Sequence, residues 1–96
     1  MAKQPKLEVT NELLQHIARA ESPATLGAIV KADWGSKVYF GAVPYLQALL
    51  EMDSFDQQYY QEYGRHIGMR FLGQAQSYRG PVAKAVKLRI KELCSK

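Results

Sequence analysis

Two histidines each follow a glutamate by four residues, Glu12/His16 and Glu62/His66, a spacing that on a helix sets a carboxylate beside an imidazole. Zinc needs three or four ligands at defined spacing, so these pairs read as local ion pairs and no metal is expected. Arg70, four residues after His66, continues the second pair into an exposed row. Cys94, the single cysteine, falls on the apolar side of a terminal helix and reads as a core thiol or part of a frayed end, even with His66 as a conceivable partner for nucleophilic chemistry. No oxyanion hole, glycine-rich phosphate loop or acid/base carboxylate pair can be built from the spacings. The expectation is a protein that is not an enzyme, with no cofactor and no small-molecule substrate.

The charge distribution is more informative. Arg79, Lys84, Lys87, Arg89, Lys91 and Lys96 face a single acid, Glu92, over the last 18 residues, while the preceding 78 carry seven basic and eight acidic side chains. Lys84, Lys87 and Lys91 stand at successive turns of what reads as a helix, so they form one basic ridge, with Arg79 before it and Arg89 on its flank. Such a ridge could neutralise phosphates through counterion release. It could equally be the solvated face of an amphipathic helix whose cations match the helix dipole. Membrane-surface binding is not expected, because this helix has no Trp or Phe to bury among headgroups.

Tyrosines supply a second candidate surface. Tyr59, Tyr60 and Tyr63 cluster, with Tyr39, Tyr45 and Tyr78 elsewhere. Tyr60, Tyr63 and Ile67 are expected on a buried stripe, which turns Tyr59 about 100° away, where it could meet a partner or stack on a base. Glu51, Asp53, Asp56 and Glu62 make the neighbouring stretch acidic, so contact with the basic tail, within the chain or head to tail between copies, is conceivable. The alternative is that Asp53 and Asp56 begin helices and the others are solvated.

The frame for these residues is small. Ninety-six residues suffice for one core without a disulfide or metal staple, and 47% apolar with 23% charged residues is ordinary globular usage. A lone cysteine points to a reducing, cytoplasmic setting. Residues 1–9 read as a loose lead-in without the apolar stretch of a secretory signal, and no run approaches the roughly 20 residues needed to cross a bilayer.

Helix signals then follow in order. Thr10 or Asn11 caps a first helix with Leu13, Leu14, Ile17 and Ala18 on one stripe. Ser22-Pro23 starts a second, to about Ala32, burying Leu26, Ile29 and Val30 and stopped near Gly35. Lys37 to Gly41 reads as a loop or short turn, although Val38, Tyr39 and Phe40 favour strands. Pro44 opens a third helix to Met52, and Asp53 and Ser54 cap a long fourth helix from Phe55 to Ser77, with Tyr60, Tyr63, Ile67, Phe71 and Ala75 at helical spacing. Gly64 and Gly68 on it imply close backbone approach or a kink. Pro81 starts a last helix with Val82, Ala83, Val86, Ile90, Leu93 and Cys94 inward. A helix-turn-helix reading of the second and third helices fails, since their connection is about ten residues instead of three to four and the third helix has no Lys or Arg.

Arg70-Phe71-Leu72, Tyr78-Arg79-Gly80-Pro81-Val82-Ala83 and Val86-Lys87-Leu88-Arg89 together resemble small bacterial mobile-element proteins over less than a third of the chain. The resemblance implies a bacterial source and transfers no activity or site residue. The sequence thus predicts an all-α, single-domain bundle of four or five helices over 10–96. Its expected role is that of a cytoplasmic accessory or regulatory protein working through a protein partner or self-association. The alternative is a nucleic-acid-binding module. The residues nominated for binding are Tyr59, Arg79, Lys84, Lys87 and Lys91.

Overall fold

The computed structural model describes residues 9–95; all of the expected lead-in except Val9 lies outside them. The described residues form an all-α bundle of five helices. These are α1 (Asn11–Arg19), α2 (Pro23–Trp34), α3 (Val43–Leu50), α4 (Gly64–Gln74) and α5 (Pro81–Cys94). α2 packs on α3, and α5 packs on α1, α2 and α4. Ile17, Leu26, Val30, Leu49, Met52, Phe71, Val86 and Ile90 are fully enclosed between these elements.

Local chemistry sets most of the helix ends. Thr10 is extended and its hydroxyl accepts from Leu13 N–H at 3.0 Å, satisfying one free donor of the first turn of α1. Pro23 opens α2, and Ala24 N–H donates to Met52 O at 3.0 Å, which ties the start of α2 to the exit of α3. α2 runs on to Trp34, two residues beyond the expected end, and stops at Gly35 with φ 61°. Residues 35–42 hold two 3₁₀ turns, Gly35–Lys37 and Phe40–Ala42, with Val38 and Tyr39 linking them, so the strand formers there pair in no sheet.

The expected long helix from Phe55 to Ser77 does not exist. Its first third is a turn followed by a two-stranded antiparallel hairpin, β1 (Gln58–Tyr59) and β2 (Glu62–Tyr63), and α4 begins only at Gly64. Side chains outcompete the helix here. Gln57 Oε1 accepts from Asp53 N–H at 2.8 Å and Ser54 N–H at 3.1 Å, and Ser54 Oγ accepts from Asp56 N–H at 3.0 Å. Each of these bonds offers the backbone a partner that a helix would otherwise supply. Asp53 and Asp56 therefore start no helix.

Gly64 closes the loop with its N–H donating to Gln57 O at 2.9 Å, and a Cβ on it would lie 2.8 Å from Phe55 O and 3.1 Å from Gln57 O. Gly68 sits under the Phe55 ring and Cys94 of α5, so close approach explains both glycines. The fixed neighbour of Gly64 is backbone, which cannot move aside cheaply. Gly64→Ala should lower stability by about 2 kcal/mol through overpacking, whereas Gly73→Ala, in open space on the same helix, should raise it by up to about 1 kcal/mol. Urea denaturation of the two variants reads both signs.

Candidate functional site

The hairpin presents aromatic rings to solvent and is braced from behind. Tyr60 is 83% and Tyr63 59% exposed. The Tyr59 and Tyr60 rings meet edge to face at 4.7 Å, and Tyr63 meets His66 of α4 at 5.9 Å in the same manner. With Glu62 and Arg70 they line an open groove of about 650 Å³. The expected buried stripe of Tyr60 and Tyr63 is thus overturned. They stand on a hairpin, outside the 3.6-residue period that would have carried them inward.

Three polar contacts hold the platform. Tyr59 O–H donates to Glu51 Oε2, and that bond pushes its phenol pKa up to about 12. Arg65 donates from Nε to Asp56 at 3.0 Å and from its second nitrogen to the same oxygen, pinning the turn to α4. Arg70 Nε lies 2.9 Å from Glu62 Oε1, an oxygen shielded from solvent. The expected Glu62/His66 ion pair gives way to this one, because Glu62 precedes the helix and the i,i+4 geometry never forms. Tyr59, nominated for partner contact, is half-buried and committed to Glu51. The exposed rings beside it are the ones sequence reasoning put in the core.

Tyr60 has φ 56°, the only positive φ at a non-glycine among the described residues. The strands pair Tyr59 with Glu62, leaving Tyr60 and Gln61 as a two-residue turn, and a positive φ at the first central position of such a turn favours glycine, asparagine or aspartate. A left-handed tyrosine costs about 1–2 kcal/mol. Its side chain is the most exposed of the large apolar side chains described, so the core gains nothing in return.

The nominated basic residues do not form one ridge. Lys84 and Lys91 are exposed, as is Arg79, but Lys87 folds inward. Its Nζ donates to Ala75 O at 2.9 Å and lies 5.9 Å over the Tyr78 ring, and burial, reinforced by the charge of Arg79, lowers its pKa. Arg89 Nε donates to Ala20 O at 2.6 Å, with its other arm 3.7 Å from Glu92. Ala20 and Ala75 are the C-caps of α1 and α4, so two of the tail's cations serve as caps on the negative ends of neighbouring helices. Leu88, 58% exposed, lies between Lys84 and Lys91 on the outer face that remains.

Cys94 is half-buried and burial pushes its thiol up to about 11, so it stays protonated at neutral pH. Among the described residues no group of three or more His, Cys, Asp or Glu could hold a metal ion, and no helix is long and apolar enough to cross a membrane. No family model, curated protein or solved structure matches the chain.

The signal for the hairpin lay in the 57–61 segment, Gln57-Gln58-Tyr59-Tyr60-Gln61, where three glutamines flank a β-forming tyrosine pair. Replacing Tyr60 tests the backbone strain directly. Tyr60→Gly should leave stability unchanged or raise it by about 1 kcal/mol, and Tyr60→Val, β-branched, should lower it by about 1–2 kcal/mol. Thermal melts of the two variants would separate relief of strain from loss of the ring contact.

Proposed function

We propose that this is a non-enzymatic accessory or regulatory protein of the cytoplasm that acts by contacting another protein through the aromatic hairpin. The observation that carries the reading is Tyr60, held in a strained conformation that aims its ring at solvent. Strain of this kind is retained where it positions a group, and a rigid tyrosine is the side chain best suited to an interface, with a large apolar ring, a polar tip and little entropy to lose. The braces to Glu51, Glu62 and Asp56 support it by fixing the platform before a partner arrives.

Charge favours protein over nucleic acid at this face. Residues 51–70 carry four acids against two arginines; Asp56 and Glu62 are paired with Arg65 and Arg70, and Glu51, which accepts from Tyr59, adds a carboxylate beside the rings with no ion pair among the described residues. Bases could stack on tyrosine, but the accompanying phosphates would meet like charge. The nucleic-acid reading keeps exposed Arg79, Lys84 and Lys91, without Lys87 between them.

A photo-crosslinking amino acid, p-benzoylphenylalanine, placed at position 60 in cells of the protein's own source should yield a discrete protein adduct on irradiation. The same group at exposed position 15 on α1 should yield none. No adduct at 60, or equal adducts at both positions, would overturn the reading. A duplex-DNA titration should show at most a weak affinity, with a log–log salt slope no steeper than about −3 if Arg79, Lys84 and Lys91, the exposed cations among the nominated residues, make the contacts. A markedly steeper slope would favour the nucleic-acid alternative.

A further inference from the structure

The exposed side of α5 has a definite pattern. Lys84, Leu88 and Lys91 follow one another at i, i+4 and i+7, which places them within about 60° of arc and over about 10 Å of helix. All three are exposed, with Leu88 58% accessible. An aliphatic side chain in water between two ammonium groups is the inverse of the hairpin, where exposed rings sit beside Glu51 and the Glu62–Arg70 pair, two carboxylates against one cation. The two surfaces are complementary in both charge and apolar content.

They cannot meet within one molecule. Val82, Val86, Ile90 and Leu93 bury the opposite face of α5 in its own core, so the Lys84–Leu88–Lys91 face is turned outward and fixed there. We infer that the occupant of the hairpin groove is a second copy of this chain, docking the Lys84–Leu88–Lys91 face of its α5 against Tyr60 and Tyr63. This rests on the reading of the hairpin as a protein-binding surface and names its partner. Leu88 enters between the rings in the helix-in-groove manner, and the two lysines flank it, drawn by the net negative field and by the tyrosine faces. The surfaces differ, so the contact is heterologous: each copy offers one groove and one helix face.

One helix face against one hairpin falls at the small, transient end of interfaces, so association in the range of about 10–100 µM is expected. Sedimentation velocity between about 5 and about 500 µM should show the average mass rising with concentration, less so in high salt. Tyr60→Gly, which suits the positive φ, and Leu88→Glu, on an exposed helical face, should each weaken self-association by more than about tenfold while melting no lower than the parent protein. Mixed one to one, they should form a dimer that neither forms alone, because the first retains an intact helix face and the second an intact groove. If Leu88→Glu lowers the melting temperature, the double variant K84E/K91E replaces it in the mixture.

A chain that stays monomeric across the range overturns the inference. So do variants that associate as the parent does, or a mixture that remains monomeric while the parent associates. If position 60 crosslinks to a different protein and the chain is monomeric, the hairpin stands as a binding surface and only the identity of the occupant fails.

Discussion

The bundle depends on how Tyr78 is held. It lies in the connection between α4 and α5, is 2% exposed, stacks on Trp34 with centroids 4.7 Å apart and planes within 19°, and donates its hydroxyl to Asp33 at 2.8 Å. Trp34 and Asp33 form the last turn of α2, so one side chain joins the end of that helix to the start of α5 across 45 positions of chain. Burial and the donation to Asp33 push the phenol far above its ordinary range, which keeps the donor proton in place. A stacked aromatic pair contributes about 0.5–1.5 kcal/mol beyond its area, and a hydrogen bond to a charged acceptor about 1.5–3 kcal/mol. Lys87 completes the arrangement by lying over the same ring while capping α4.

That last contact changes what the basic tail can do. The charge count of residues 79–96 suggests a phosphate-binding surface, yet Lys87 and Arg89 are turned onto the C-terminal carbonyls of α4 and α1. A helix end leaves carbonyls without partners and a partial negative charge, and a long cation from a neighbouring helix satisfies both at once. The tail's excess charge thus contributes to cohesion between helices, and what remains outside among the described residues is Arg79 and two lysines around a leucine. Net charge along a segment and charge presented at a surface are separate quantities, and here they differ by the two cations used as caps.

The hairpin shows a related competition between local and distant order. From Phe55 to Tyr63 the aromatic spacing fits a helix, but the Gln57 side-chain amide oxygen and the Ser54 hydroxyl collect three backbone N–H groups within five residues. Gly64 packed under Phe55 and Gln57 fixes where the helix can finally begin. The outcome is a short, braced platform projecting tyrosines away from the core, with strain concentrated at its tip.

Much of the framework follows from sequence by local rules. Thr10, Pro23, Gly35 and Pro81 mark helix boundaries because caps, proline-first turns and positive-φ glycines act over three or four residues. The inward face of α5, Val82, Ala83, Val86, Ile90 and Leu93, follows from periodicity in the same way. Only the assembled fold decided the fate of the functional candidates. Whether Lys87 meets water or a carbonyl depends on where α4 ends beside it, and whether Tyr60 is core or tip depends on hydrogen bonds that erase the helical period. Periodicity assigns faces only while a helix persists, and the destination of a long polar side chain is set by neighbours tens of residues away in the chain.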